Sequence, residues 1–268
     1  MTTTPSAHAQ AVALVTGATA GIGYELARVF AEHGHPLILV GRNAERLERV
    51  AKELQSAYDI SATVLSKDLA RPEAPVEIFR DLQQTATAVG ILVNNAGFGT
   101  YGPFAIADAD SQLQMIQVNI AALTQLTRLF LPEMIERGFG KILNVASTAA
   151  FQPGPLMAVY YASKAYVLFF SEALANEVRQ SGVTVSALCP GPTATEFQER
   201  AKMQKSRLVS GAMMDARTVA LAGYHGLMKN KPVIIPGVAN RLLAFSTRLT
   251  PRKWVTGIVR RMMEERKS

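Results

Sequence analysis

The chain has 268 residues, of which 49% are hydrophobic and 18% charged, as is typical of a soluble globular protein with one large buried core. Its single cysteine, Cys189, excludes an intrachain disulfide. Residues 1–10 lack the basic and apolar blocks of a signal peptide, and no apolar run approaches the roughly 20 residues of a membrane span. We therefore expect a cytoplasmic protein whose residues 1–10 form a disordered tail.

The net charge of +7 is concentrated near the C-terminus. Residues 241–268 contain eight Lys or Arg and two acidic residues, and the rest of the chain is close to neutral. This distribution indicates a basic C-terminal segment, and it does not favour a nucleic-acid-binding protein.

Short apolar runs alternate along the chain with segments of helical spacing. The predicted strands are 11–16, 36–40, 61–66, 91–93, 141–146 and 183–189. The predicted helices are 22–33, 43–55, one opened by Pro72 and Pro75, 108–137, and one from Tyr160 to about Gln180. This alternation predicts an α/β fold: a single domain over 11–237, with a doubly wound, Rossmann-like parallel sheet and helices on both faces. Residues 238–268 form a basic, amphipathic extension.

Residues with distinctive chemistry follow the ends of several predicted strands. In a parallel sheet of this kind, ligands bind beyond the carboxyl ends of the strands. One crevice is therefore expected to collect the following residues, each after a different strand: Gly17, Arg42, Asp68, Asn94, Ser147 and Pro190. This convergence favours a nucleotide-dependent enzyme over a structural protein.

The segment 16–23 reads TGATAGIG, between the first predicted strand and the first predicted helix. Glycines there let the backbone turn sharply and let a diphosphate approach the helix N-terminus, where unpaired N–H groups attract anions. The glycine spacing differs from the usual G-x-G-x-x-G pattern.

Tyr160 and Lys164 are one helical turn apart and share a helix face, whereas Tyr161 points elsewhere. A nearby ammonium favours the phenolate, so we expect Lys164 to lower the pKa of Tyr160. A phenol tuned in this way can exchange a proton with a carbonyl or an alcohol.

These motifs together resemble the short-chain dehydrogenase/reductase superfamily from Val12 to about Pro236. The matching stretches are TGATAGIG, NNAG at 94–97, Ser147 before Tyr160, YYASK at 160–164 and PGPTAT at 190–195. The resemblance implies a catalytic set of Asn119, Ser147, Tyr160 and Lys164. Tyr160 would be the proton donor or acceptor, Ser147 would hold the substrate oxygen, and Lys164 would bind the nicotinamide ribose and tune the phenol. Asn119 would anchor a water in a proton relay.

The end of the second strand bears on cofactor choice. An acid there would bind the ribose 2′-hydroxyl of NAD, but the chain has Arg42, which can grip a 2′-phosphate. We therefore predict that NADP(H) is preferred over NAD(H), and we predict no metal. Asp68 resembles the adenine-contacting aspartate of the family, and Asn94 would support the cofactor side. The full set of expected cofactor-binding residues is Gly17, Thr19, Ala20, Gly21, Ile22, Gly23, Arg42, Asn43, Asp68, Leu69, Asn95, Ala96, Gly97, Tyr160, Lys164, Pro190, Gly191, Thr193 and Thr195.

The substrate is expected to be a small carbonyl or alcohol compound of hydrophobic or ketoacyl type. Thioethers and aromatics suit an apolar ligand, although the same residues could simply pack a lid. The expected wall and lid residues are Phe98, Tyr101, Phe151, Met157, Phe197, Met203, Leu208, Met213 and Met214.

The C-terminal extension has three interpretations. It could cover the active site of its own protein, pack on a second subunit, or lie on an anionic membrane surface. We favour packing on its own protein, in what the resemblance suggests is a homodimer or homotetramer.

Two rival functions remain. A catalytically idle nucleotide-sensing or interaction protein would have a damaged catalytic set, and no such damage is visible in the sequence. An epimerase or dehydratase of the extended relatives would have a different glycine spacing and a larger C-terminal substrate region, and the sequence lacks both.

Overall fold

The computed structural model describes residues 11–203, 206 and 213–264, and these form a seven-stranded parallel sheet between two layers of helices. The strand order is β3-β2-β1-β4-β5-β6-β7. The strands are β1 Val12–Thr16, β2 Leu37–Gly41, β3 Ala62–Ser66, β4 Val89–Asn94, β5 Gly140–Val145, β6 Val183–Leu188 and β7 Val233–Ile234. The predicted doubly wound, Rossmann-like sheet is therefore confirmed.

The helices connect the strands and cover both faces of the sheet. They are α1 Gly21–Glu32, α2 Ala44–Tyr58, α3 Ala74–Gln84, α4 Ala109–Ile116, α5 Leu123–Glu136, α6 Ala158–Glu177, α7 Phe197–Arg200, α8 Ala216–Met228, α9 Val238–Leu249 and α10 Arg252–Met263.

The central strands β1, β2 and β4 are almost entirely apolar because both faces of the sheet are buried there. Side chains alternate across a strand, so Ala13 and Val15 of β1 face the core formed with α1, α2 and α8. Leu14, between them, faces the core formed with α3, α5 and α6. This two-sided burial fixes the register and brings the carboxyl ends of the strands to one edge.

Two local features differ from the sequence-based expectation. The strand β7 was not predicted, because two residues are too few to show a periodicity; it pairs with the end of β6. The predicted helix 108–137 is continuous, but its centre, Gln117–Ala122, is a π-helical turn. Such wider turns inside α-helices are frequently found at functional sites, and this one contains Asn119.

The C-terminal helix α10 packs on its own protein, as favoured from the sequence. Val255, Val259 and Met263 recur every four residues on one face and join a buried cluster that contains Met157 and Tyr161. None of the helices in the part of the chain that the structure describes is long and apolar enough to cross a membrane. The predicted tail 1–10 and the predicted lid residue Leu208 lie outside the described residues.

Candidate active site

A cavity of about 980 Å³ lies beyond the carboxyl ends of the strands. The sequence-predicted residues that line it are Gly17, Thr19, Ala20, Gly21, Ile22, Gly23, Arg42, Asn43, Asp68, Leu69, Asn95, Ala96, Gly97, Ser147, Tyr160, Lys164, Pro190, Gly191, Thr193 and Thr195. Five of the six residues expected to converge there do so, and Asn94 is the exception. Asn119 lies behind this wall, buried at 1% exposure.

The glycine-rich loop brings backbone very close to backbone at the start of α1. Gly17 has φ +67°, and a Cβ on Gly23 would lie only 2.2 Å from the carbonyl oxygen of Gly17. Ala20, the N-cap of α1, provides no side-chain hydrogen bond to the first turn. The free N–H groups of that turn and the space left by the absent side chains form a cradle that fits the diphosphate of a dinucleotide.

The NNAG motif holds this loop in place. The side-chain amide of Asn95 donates to the carbonyl oxygens of Thr16 (2.9 Å) and Gly17 (3.2 Å). In return, the hydroxyl of Thr16 accepts from the backbone N–H groups of Asn95 and Ala96, both at 3.0 Å. Asn95 therefore lines the cavity and also positions the glycine loop.

The expectation that Asn94 supports the cofactor side is wrong. Asn94 is the last residue of β4, and its side chain points into the core, where the amide donates to Thr127 (3.1 Å) and Asn144 (2.9 Å). The neighbouring residue, Asn95, takes the place at the cavity because strand side chains alternate between faces.

The far end of the cavity is rimmed by cations. Arg42 follows β2, is exposed, and has no ion-pair partner among the described residues. Asn43 caps α2 by accepting from the backbone N–H of Arg46 at 2.8 Å. The Arg46 guanidinium, which sequence reasoning missed, lines the cavity and lies 3.5 Å from Glu196. Asp68 accepts from the backbone N–H of Ala70 at 3.1 Å, which orients its carboxylate.

The centre of the cavity holds Ser147 and Tyr160. Ser147 follows β5, and its hydroxyl accepts from the N–H of Ala149 at 3.1 Å and lies 3.5 Å from the Pro190 carbonyl. Tyr160 lies in the first turn of α6. Burial raises the pKa of Tyr160 to about 12, and a hydrogen bond with Ser147 opposes that rise.

The expectation that Lys164 lowers the pKa of Tyr160 is therefore not met in this structure. The ammonium nitrogen lies 5.8 Å from the centroid of the Tyr160 ring and donates to the Val145 carbonyl at 2.8 Å. Burial lowers the pKa of Lys164 itself to about 8. Burial disfavours the charged form of each group, and this is the main cause of both shifts in pKa.

Asn119 acts on the backbone around the site. Its amide group donates to the Phe98 carbonyl (3.0 Å) and to the Ser163 hydroxyl (3.0 Å), and its oxygen accepts from the Phe98 N–H (3.1 Å). A Cβ on Gly97 would lie 3.0 Å from that oxygen and 3.4 Å from the Lys164 nitrogen. The π-helical turn thus positions Asn119, and the Asn119 side chain holds the backbone of residues 97 and 98 close to Lys164.

One part of the cavity wall is apolar. Phe98, Met157, Phe197 and Met203 line it as expected. Four other expected wall residues do not line this cavity. Tyr101 lines a smaller neighbouring cavity, and Phe151 packs under α6. Met213 is 38% exposed, and Met214 packs near β7 and α9.

Part of this wall comes from the C-terminal extension, for which covering the active site was one of the three interpretations. Leu243, Val259, Met262 and Met263 line the cavity. The Tyr101 hydroxyl donates to the carbonyl of Met263 at 2.6 Å and so ties the end of α10 to the cavity region. The signal in the sequence was the four-residue spacing of Val255, Val259 and Met263, which predicts a buried stripe but not what it covers.

Comparison with known proteins gives a consistent result. The profile of the family described as "short chain dehydrogenase" matches residues 11–206. Very-long-chain 3-oxoacyl-CoA reductase-B of Danio rerio is 36% identical over 193 residues, which cover 70% of this chain and only 61% of that protein. A short-chain dehydrogenase from Sphingobium yanoikuyae, solved in complex with NADPH, is 34% identical with a TM-score of 0.81, covering 89% of this chain and 93% of that one.

A bulky-bulky ketone specific alcohol dehydrogenase from Comamonas testosteroni is 30% identical with a TM-score of 0.76, covering 89% of this chain and 92% of that one. The profile match, these similarities and the arrangement of Ser147, Tyr160 and Lys164 all lead to one assignment. The chain belongs to the short-chain dehydrogenase family of oxidoreductases.

Proposed function

We propose that the protein is an NADP(H)-dependent reductase of a hydrophobic ketone, aldehyde or 3-oxoacyl-type carbonyl compound. The observation that carries the proposal is that one cavity joins a cation-rimmed glycine cradle, a central Ser–Tyr pair and an apolar wall. The cofactor, when bound, supplies the hydride. The chain itself binds the substrate, orients its carbonyl and supplies the proton.

The proton chemistry follows from the state of the central groups. Because burial raises the pKa of Tyr160 to about 12, the phenol is protonated at neutral pH and is ready to donate to a carbonyl oxygen. The Ser147 hydroxyl, oriented by the Ala149 N–H, can donate a second hydrogen bond to the same oxygen. Lys164 is held beside this pair by the Val145 carbonyl, where it can bind a ribose hydroxyl. Tyr160→Phe should therefore abolish turnover, while the other cofactor-binding residues still hold NADPH.

The cofactor preference rests on Arg42. Its guanidinium lies on the cavity rim without an ion-pair partner among the described residues, and it follows β2 at a position where an acid would repel a 2′-phosphate. Arg42→Asp should weaken NADPH binding by about 100-fold and change NADH binding little. Arg179→Asp, at an exposed arginine away from the cavity, is the control. Equal loss of both cofactors in Arg42→Asp would contradict the assignment.

The substrate class rests on the apolar wall of the cavity. Aromatic and thioether side chains from Phe98, Met157 and α10 provide burial for an alkyl or acyl chain. The Danio rerio relative is named for very-long-chain 3-oxoacyl-CoA, and the Comamonas testosteroni neighbour for bulky ketones, which supports a large apolar substrate.

The deciding experiment is NADPH oxidation with 3-oxoacyl thioesters of increasing chain length, bulky ketones and short aldehydes, with Tyr160→Phe as the control. Turnover that rises with apolar size and is lost in the variant supports the proposal. Tight NADPH binding without turnover on any of these compounds would favour the rival interpretation, a nucleotide-sensing protein.

We also propose a homodimer, formed by an exposed apolar patch on the neighbouring helices α4 and α6. Leu113 is 64% and Phe169 65% exposed, and Ile116 and Tyr166 are exposed beside them. Large exposed apolar residues grouped in this way are typical of subunit interfaces. Phe169→Glu should reduce a dimer to a monomer in light scattering.

A further inference from the structure

The helix α9 presents its apolar face to solvent. Val238, Leu242, Phe245 and Leu249 recur at intervals of three or four residues and therefore share one face. Their exposed fractions are 69%, 64%, 56% and 74%. We call these four residues the α9 stripe. A helix that packed on its own protein by hydrophobic burial would have the opposite orientation.

The orientation of α9 is set by contacts on the other face. Ala244 is buried at 5% exposure, and Asn240 and Thr247 flank it at helical spacing. The Asn240 amide donates to the Pro236 carbonyl at 2.8 Å, and its side chain occupies the space where a Cβ of Gly191 would lie, about 2.5 Å away. Small and polar residues thus anchor α9 beside the cavity, so rotating the helix to bury the stripe would break these contacts.

The two C-terminal helices are rich in exposed cations. Six exposed cations lie on α9 and α10: Arg241, Arg248, Arg252, Lys253, Arg260 and Arg261. Within the described residues, only Arg260 among them has an ion-pair partner, Glu264 at 3.3 Å. Two further exposed apolar residues, Trp254 and Ile258, lie on α10. The pair of helices therefore combines an unpartnered apolar stripe with five uncompensated positive charges.

The combination of exposed apolar residues and cations indicates which partner α9 and α10 bind: a second copy of this chain or a lipid surface. A second copy of the same surface would bring two sets of uncompensated cations together, which is unfavourable. An anionic lipid surface neutralises the cations and takes the apolar side chains into its interface, with Trp254 suited to the boundary between headgroups and acyl chains. We propose that α9 and α10 dock the protein peripherally on an anionic lipid bilayer. The docking does not depend on the proposed reductase activity.

The test is flotation of the intact protein with vesicles of phosphatidylcholine alone and of phosphatidylcholine mixed with phosphatidylglycerol. We expect association with the anionic vesicles only, and we expect it to weaken as salt rises, because salt screens the cations. Leu242→Glu combined with Leu249→Glu should reduce association by about tenfold or more. Arg241→Gln combined with Arg248→Gln should also reduce it, and should flatten its salt dependence.

The matched control is Ile106→Glu, which places a new acid at an 81% exposed apolar residue outside α9 and α10. It should leave vesicle association unchanged, and all variants should retain NADPH binding and thermal stability, which excludes misfolding. Failure of the intact protein to bind anionic vesicles would overturn the proposal, as would equal loss in the control. If Leu242→Glu and Leu249→Glu instead lower the molecular mass in light scattering, the stripe is covered by a second copy and the proposal is also wrong.

Discussion

Replacing Lys164 by methionine should stabilise the protein while abolishing its activity. The ammonium is buried, and its pKa falls from 10.5 to about 8. Each pKa unit corresponds to about 1.4 kcal/mol, so burial of the charged form costs about 3 kcal/mol. Losing the hydrogen bond to the Val145 carbonyl offsets about 1 kcal/mol of the gain. Lys164→Met should therefore raise the free energy of unfolding by about 2 kcal/mol at pH 7, or the melting temperature by roughly 5 °C.

The pH dependence provides the sharper check. At pH 7 the lysine is protonated in both the native and the unfolded states. As the pH rises above 8 the native state loses the proton, whereas the unfolded state keeps it until about 10.5, so the unfolded state binds more protons and the wild type gains stability. The methionine variant lacks this titration, and its advantage over the wild type should shrink between pH 8 and pH 10.5.

The assay is thermal unfolding without cofactor at pH 7 and pH 10, with each variant compared with the wild type at the same pH. Lys52→Met, at an exposed lysine on α2, is the control and should differ little from the wild type at either pH. If Lys164→Met is no more stable than the wild type at pH 7, or is more stable by the same amount at both pH values, the reasoning is refuted.

Three further outcomes follow from the geometry. Gly23→Val should weaken NADPH binding by about 100-fold in a fluorescence titration, because even a Cβ would lie 2.2 Å from a backbone oxygen. The control is Gly257→Ala, whose new Cβ has no atom within 4 Å. This variant should bind NADPH normally and stabilise α10 slightly. Met263→Ala should raise KM for long-chain substrates about tenfold and leave kcat for short ones unchanged; equal effects on both would contradict its role in the apolar wall. Asn119→Ala should lower stability by about 2 kcal/mol in denaturant unfolding, because it leaves Phe98 N–H and C=O groups unpaired; an unchanged midpoint would contradict this.

The sequence predicted the sheet and the crevice because both depend on local patterns. Apolar runs followed by Gly17, Arg42 and Ser147 are visible without tertiary information, and parallel strands bring their carboxyl ends together. Asn95 was expected at the crevice and lies there, but Asn94 was wrongly expected beside it, because which of the two faces the crevice depends on where β4 ends to within one residue. The pKa of Tyr160 was also missed, since burial is a property of the assembled cavity and not of the Tyr160–Lys164 spacing.

The orientation of the C-terminal helices was the least predictable feature. The stripes of α9 and α10 have the same helical spacing in the sequence, but α10 buries its stripe and α9 exposes it. The difference arises from Asn240, which fits against Gly191, and such a contact between distant parts of the chain leaves no periodic signal.

Because α10 provides Val259, Met262 and Met263, part of the apolar wall and the central Ser–Tyr pair come from different parts of the fold. The groups proposed to act on the carbonyl, Ser147 and Tyr160, lie after β5 and on α6, whereas this part of the apolar wall belongs to a peripheral helix tied back by the Tyr101 hydroxyl. Exchanging or redesigning α10 should therefore alter which carbonyl compounds are accepted without disturbing the reaction itself. The same catalytic core could serve a series of enzymes that differ only in their final helix.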